Sequence, residues 1–124
     1  MIAVRRKMNK KQKLKLFWTI AKIINKDCCN NRLQIKKIVL FNGRKSRGYY
    51  TQNTYEIGLR ESEPVILLIE TLAHELAHAY QFQFYNNYYE AKFLKYKNLN
   101  EAIHDRRCCN LCRKFLFCLD KEIK

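Results

Sequence analysis

The sequence predicts an α+β fold with an N-terminal helix, a small antiparallel sheet of two or three strands, a second long helix and a C-terminal helix. Apolar residues recur with the period of a helix before residue 28 and after residue 62, whereas the segment between them alternates and carries turn residues. The chain has 124 residues, of which 48% are hydrophobic and 13% aromatic, and it contains one proline. This composition argues against disorder, and the length predicts a single domain over residues 1–124.

The first helix is predicted over Asn9–Asp27. Lysines occupy much of its outer face, and Asn30 and Asn31 end the pattern. Residues 1–8 are expected to form a frayed basic arm. The apolar residues of this segment fall on one helix face at positions Leu14, Phe17, Ala21 and Ile24.

The middle of the chain is predicted to form an antiparallel meander. Leu33–Phe41 is rich in Ile, Val and Phe and predicts a strand, and Asn42-Gly43 supplies a turn signal. Gly48 can adopt a backbone conformation that is closed to other residues. Tyr49-Tyr50 predicts a short extended segment, and the alternation in Tyr55–Leu59 predicts a half-buried strand.

Two helices are predicted in the rest of the chain. Ser62-Glu63-Pro64 is typical of a helix start, because serine caps, an acid suits the positive helix end and proline is tolerated in the first turn. The second helix is therefore predicted over Glu63–Phe84, and two asparagines follow it. A last helix is predicted over Glu101–Leu119.

The second helix contains the sequence His74-Glu75-Leu76-Ala77-His78, which has the H-E-x-x-H pattern. Residues four apart lie on the same helix face, so both imidazoles can reach one zinc ion. Glu75 then points at the open coordination position, where it can take a proton from a zinc-bound water. The pattern predicts a peptidase with one Zn²⁺ per chain, with His74 and His78 as ligands and Glu75 as the general base.

A catalytic zinc site needs a third protein ligand, which we expect from another element after Phe84. Two candidates lie within one turn of the predicted last helix, and they are Glu101 and His104. Asp105 lies four residues after Glu101 and could orient the ligand by a hydrogen bond.

The segment Glu70–Tyr80, which contains the motif, resembles the active-site helix of SprT-like metalloproteases, the family that includes Spartan. Phe41–Tyr50 is similar to that family's strand, polar turn and glycine, and Tyr55–Leu59 to the strand before its helix. The resemblance implies a zincin-like fold and zinc-dependent cleavage of proteins, including proteins crosslinked to DNA. It also implies His104 as the third ligand.

A second resemblance concerns the third ligand. Asn100–Asp105 is similar to the glutamate-helix motif of thermolysin-like gluzincins and their minimal single-domain relatives. That resemblance implies Glu101 as the ligand and Asp105 as its support. The SprT-like family usually has Gly after the ligating His and Phe four residues after it, where this chain has Asp105 and Cys108. Both interpretations give a zinc peptidase that acts on a protein or peptide.

The net charge of +14 lies in the first half of the chain, where residues 1–50 carry fifteen Lys and Arg residues and one acid, Asp27. Such an asymmetry predicts a polyanion as partner, with DNA ahead of an acidic membrane. Two alternatives stay open: a peptidase with no DNA role, and a basic DNA-binding module with a vestigial metal site. The candidate DNA-binding residues are Arg5, Arg6, Lys7, Lys10, Lys11, Arg44, Lys45 and Arg47.

The chain has no apolar run of the roughly 18–20 residues that a membrane span needs. Its longest candidate, Leu16–Ile24, is interrupted by Lys22 and lacks a cleavage-site pattern. We therefore expect a monomer in the cytoplasm or another intracellular compartment, without a membrane partner.

Several tyrosines near the motif are candidates to stabilise the oxyanion of a tetrahedral intermediate. Tyr49, Tyr50 and Tyr80 are equivalent in this respect at the level of sequence. The aromatic run that begins at Tyr80 is expected to pack in the core, with the wall of a substrate cleft as the alternative.

Overall fold

The computed structural model of the chain describes residues 8–84 and 113–117. Its elements confirm the predicted α+β class, with two long helices that flank a three-stranded sheet in the sequence. Residues 113–117 are also helical, within the span predicted for the last helix. In chain order the elements are α1 (Lys10–Cys29), β1 (Lys37–Phe41), β2 (Gly48–Thr51), β3 (Glu56–Arg60) and α2 (Val65–Phe84).

Helix α1 is capped by side chains at its start and by backbone N–H groups at its end. Asn9 is its N-cap and accepts from the backbone N–H of Gln12 at 2.8 Å, while the Gln12 side chain accepts from the Asn9 N–H at 3.0 Å. This reciprocal pair satisfies two backbone donors that the first turn leaves unpaired. The helix ends two residues later than predicted, where Asn30 and Asn31 adopt the left-handed conformation with φ of 53° and 59°.

The sheet is mixed, in the order β1-β3-β2, so the prediction of an all-antiparallel sheet is wrong. Strand β2 pairs antiparallel with β3, but β1 pairs parallel with β3, with Lys37 opposite Glu56. The chain does reverse direction at each short connection, as predicted, yet β3 inserts between its two predecessors. Ile57, Gly58 and Leu59 of β3 are all buried. Because successive residues of a strand face opposite sides of a sheet, β3 is covered on both faces, as suits the central strand.

Strand β1 is shorter than the predicted Leu33–Phe41. The backbone N–H and C=O of Leu33 are bonded to the side chain of Asn25 on α1, at 3.0 and 2.9 Å. These bonds replace the ones that a strand would make. The ladder therefore starts only at Lys37.

Two glycines are required by close packing and not by an unusual backbone. Gly48 does not have a positive φ, so it does not use the backbone conformation that only glycine adopts readily. A Cβ on Gly48 would lie 2.7 Å from Thr71 Cγ2 and 2.8 Å from the Gly58 carbonyl oxygen. A Cβ on Gly58 would overlap the ring of Tyr49, which covers that strand. Only glycine lets β2 approach both α2 and β3 this closely.

Both helices pack on one face of the sheet and enclose the core between them. Phe115, from the helical segment 113–117, is fully buried in the same cluster. No helix within the described residues combines the length and apolar character needed to cross a membrane. The fully buried large apolar side chains of the cluster are Phe17, Ile20, Ile24, Ile57, Leu59, Leu68, Leu72, Leu76 and Phe115.

Helix α2 begins at Val65, two residues later than predicted. The backbone N–H of Glu63 bonds the carbonyl of Arg60 and closes a turn before the helix. The first helical bond runs from the Leu68 N–H to the Pro64 carbonyl at 3.0 Å. The predicted start signal therefore belongs to the turn that leads from β3 into the helix.

Candidate metal centre

One face of α2 lines a cleft of about 620 Å³ whose other wall is the start of β2 and the loop before it. The helix residues recur at the spacing of successive turns, so a single face supplies the whole floor. All three residues of the motif that carry chemistry, His74, Glu75 and His78, border this cleft. The remaining lining residues are Ser46, Arg47, Gly48, Tyr50, Leu67, Glu70, Thr71 and Phe82.

The two histidines bring their Nε2 atoms to 3.0 Å from each other. Their rings meet edge to face, with centroids 4.5 Å apart and an interplanar angle of 87°. Two nitrogens bound to one zinc ion at about 2.0–2.1 Å with tetrahedral angles lie roughly 3.3 Å apart. The observed separation therefore matches a pair of ligands that converge on one ion after a movement of a few tenths of an ångström.

Gln81, one turn after His78 on α2, contacts the ring of that histidine. Its Oε1 lies 3.2 Å from His78 Nδ1, and its side chain is fully buried. Because His78 is itself only 6% exposed, both partners of this contact are shielded from water. The H-E-x-x-H motif does not predict this contact. The one available signal is a glutamine that stands between Tyr80 and Phe82, three residues after a candidate ligand.

Glu75 is 6% exposed and lies where β2 comes closest to α2. Its Cγ is one of the three atoms nearest to the position of a Cβ on Gly48, at 3.4 Å. A Cβ at that distance would only touch Glu75, so the space left by Gly48 is required by Thr71 and the Gly58 carbonyl. The carboxylate shares the cleft with the two imidazoles, as the sequence motif predicts.

The described residues contain no group of three His, Cys, Asp or Glu side chains that could hold a metal ion. The predicted third ligand, His104 or Glu101, and its predicted support Asp105 lie outside the described residues. Residues 8–84 therefore supply two nitrogen ligands and one carboxylate to the candidate centre.

The three tyrosines that are candidates to stabilise the oxyanion have different surroundings in the structure. The hydroxyl of Tyr49 hydrogen-bonds Glu56, and burial together with that neighbouring carboxylate raises the pKa of Tyr49 to about 12. Tyr80 packs against Phe84, with ring centroids 4.8 Å apart. Of the three, only Tyr50 borders the cleft.

Tyr50 is held in place by two amide side chains. Its hydroxyl donates to Gln52 and accepts from Gln83 Nε2 at 3.0 Å, and burial raises the pKa of Tyr50. Its ring lies 6.0 Å from that of Phe82, so the two form an aromatic wall at one end of the cleft. Within the aromatic run, Phe82 therefore lines the cleft, whereas Tyr80 and Phe84 pack against the core as expected.

The opposite end of the cleft carries charge. Arg47 Nε lies 3.7 Å from Glu63 Oε1, and Arg60 hydrogen-bonds the same carboxylate. The hydrogen bond from Arg60 lowers the pKa of Glu63. Arg47, predicted as a DNA contact, thus borders the cleft, while Lys10, Lys11, Arg44 and Lys45 are exposed and Arg5, Arg6 and Lys7 lie outside the described residues.

Comparison of the chain with protein-family models, with curated proteins and with solved structures found no match in any of the three.

Proposed function

We propose that the protein is a zinc-dependent endopeptidase with a zincin-like fold, similar to the SprT-like metalloproteases. The observation that carries this proposal is the convergence of His74 Nε2 and His78 Nε2, 3.0 Å apart, beside the buried carboxylate of Glu75 in one cleft. Two imidazoles are a usual part of a catalytic zinc site, which needs three protein ligands. His104 or Glu101 would complete the set.

The chemistry divides between the metal and the chain. A bound zinc ion would lower the pKa of a coordinated water to about 7 and so supply a nucleophile at neutral pH. Glu75 accepts the proton of the attacking water and holds it for transfer to the departing amine, as a general base and then a general acid. Tyr50 and Phe82 form an aromatic wall at one end of the cleft.

The length of the cleft supports cleavage inside a chain. Its floor runs from Leu67 to Phe82, which is about 22 Å at the rise of 1.5 Å per residue in a helix. An extended peptide covers that distance with roughly six or seven residues, at about 3.3 Å each. A site of that length suits a segment of polypeptide better than a single amino acid.

Substitution of Glu75 by glutamine tests the mechanism. The amide keeps the shape of the side chain but cannot hold the proton, so we expect cleavage of an unstructured protein to fall by about 10²–10⁴-fold. Zinc content and the circular dichroism spectrum should not change. Glu61→Gln, a substitution of the same kind outside the cleft, is the control, and full cleavage by the Glu75→Gln variant would refute the proposal.

Zinc content identifies the third ligand, and the third ligand distinguishes the SprT-like interpretation from the gluzincin-type one. We expect about one zinc ion per chain in the wild type, and loss of zinc in only one of the variants His104→Ala and Glu101→Ala. Loss in the first favours the SprT-like interpretation, and loss in the second favours the gluzincin-type peptidase.

A second proposed function is contact with DNA through α1. Four exposed lysines, Lys11, Lys15, Lys22 and Lys26, lie on one face of this helix, opposite the buried apolar face. We call these four residues the lysine stripe. Within the described residues no acidic side chain forms an ion pair with any of them. A row of unpaired cations on a rigid helix is complementary to a phosphate backbone.

The salt dependence of DNA binding tests the lysine stripe. The slope of log K against log salt should become shallower by about 0.9 for every phosphate that a lysine no longer neutralises. We expect glutamine at all four positions to flatten the slope, and Arg44→Gln with Lys45→Gln to leave it closer to wild type. The reverse order would assign DNA binding to the loop before β2, and no binding by the wild type would leave the peptidase without a DNA role.

A further inference from the structure

We propose that Gln81 is a positioning residue that fixes which ring nitrogen of His78 carries the proton. This inference rests on the metal centre of the proposed function. The proposal rests on the 3.2 Å contact between Gln81 Oε1 and His78 Nδ1, two buried side chains one turn apart on α2.

The amide of Gln81 turns its oxygen toward the His78 ring, and because an amide oxygen only accepts, a hydrogen bond in this orientation places the proton on Nδ1. A neutral imidazole carries one proton, and its other nitrogen then has a free lone pair. The proton on Nδ1 therefore leaves the lone pair on Nε2, the atom that lies 3.0 Å from Nε2 of His74. That is the tautomer that a metal ligand needs at Nε2.

The same contact also orients the ring. Gln81 follows His78 by three residues, so it lies on the same side of the helix one turn later. A hydrogen bond to the far nitrogen restrains rotation of the imidazole about its last side-chain bond, which keeps Nε2 aimed into the cleft. Partners of this kind typically change metal affinity by about 10–100-fold when they are removed.

The other end of the Gln81 amide argues against a purely structural role. Gln81 Nε2 is buried and has no hydrogen-bond partner within the described residues. An unpaired buried amide nitrogen destabilises the fold, and leucine, of similar size, would avoid that cost. A glutamine at this position therefore makes sense through what its oxygen does for His78.

The zinc affinity of the full chain distinguishes a positioning role of Gln81 from a purely structural one. Competition of the protein with a chromophoric chelator for added ZnCl₂ gives the dissociation constant. We expect Gln81→Leu to weaken zinc binding by about 10–100-fold. Without metal, removal of the unpaired amide nitrogen offsets the lost hydrogen bond to His78, so the unfolding temperature should stay near that of the wild type. Gln81→Glu keeps an acceptor and should restore most of the affinity that Gln81→Leu loses.

Gln83→Leu is the matched control. Gln83 lies on the same helix but bonds Gln34 and Tyr50, and its side chain makes no hydrogen bond to either histidine within the described residues. Its loss should lower the unfolding temperature and leave zinc affinity near the wild-type value. The two substitutions are thus expected to have opposite profiles, one on affinity and one on stability.

Nitrogen-15 NMR of the imidazole rings tests the tautomer in the wild type itself, without any variant. We expect His78 of the metal-free protein to be protonated at Nδ1. A proton at Nε2, or equal zinc affinity in the wild type and Gln81→Leu, would overturn the inference about Gln81. Failure of the wild type to bind zinc at all would instead overturn the metal centre on which the inference rests.

Discussion

At Gly48, the space of one methyl group decides how closely β2 approaches α2. We expect Gly48→Ala to destabilise the fold by about 1–3 kcal/mol, because a Cβ would press on Thr71 and on the Gly58 carbonyl. The displaced strand would also shift the wall of the cleft that faces Glu75. The substitution should therefore reduce cleavage by more than the loss of folded protein explains.

Urea unfolding and activity per folded molecule measure the two effects of Gly48→Ala separately. Gly43→Ala is the control, because a Cβ there would meet only the edge of the Phe41 ring at 3.2 Å on an exposed loop. We expect it to change the free energy of unfolding by less than about 0.5 kcal/mol. Equal stability of both variants would contradict the packing argument.

The residue scale also shows what the motif alone could not predict. His74 and His78 were found because a spacing of four residues on a helix is a local property of the chain. The contacts of Gln81 and Gly48 depend on the conformation of a side chain and on the approach of a distant strand. Neither leaves a periodic signal in the sequence.

Among the elements, α1 owes its start to one pair of side chains. We expect Asn9→Ala to lower the free energy of unfolding by about 1 kcal/mol, because it removes the oxygen that accepts from the Gln12 N–H. Urea unfolding monitored by circular dichroism measures the loss. Asn9→Asp keeps an acceptor and should lose much less, whereas equal losses in both variants would show that the cap adds little.

The elements differ in how far the sequence predicted them. Both ends of α1 and the start of α2 were predicted to within two residues, because caps such as Asn9 and Asn30 act on the neighbouring backbone. Both ends of the predicted last helix, Glu101–Leu119, lie outside the described residues. The pairing of β1 with β3 was not predicted. The two strands are separated by β2 in the sequence, and no local pattern indicates which strand each will pair with. The early start predicted for β1 failed at Leu33, whose backbone bonds are taken by the Asn25 side chain.

For the whole molecule, the excess of positive charge predicts a dependence of stability on salt. With a net charge of +14, folding brings unpaired cations together, and added NaCl screens their repulsion. We expect the midpoint of thermal unfolding to rise by roughly 3–5 °C between low and moderate NaCl, equivalent to about 1 kcal/mol.

The lysine stripe is expected to account for part of that salt effect. Replacement of its four lysines by glutamine should raise the midpoint at low salt and reduce the further rise on adding NaCl. Scanning calorimetry at several salt concentrations makes the comparison. A midpoint that falls with NaCl in the wild type would mean that attractive ion pairs, such as Arg47 with Glu63, outweigh the repulsion.

The insertion of β3 between β1 and β2 sets an order of events during synthesis on the ribosome. Strand β1 is complete at Phe41, but its neighbour in the sheet does not begin until Glu56. At about 5–20 residues per second, the nascent chain carries β1 without its partner strand β3 for roughly 1–3 seconds. Lys36 and Lys37 stand at the start of β1, where charge discourages association with another chain. Strand β1 remains at the edge of the three-stranded sheet after β3 has paired with it, so the same two charges also discourage association of the folded protein through this strand.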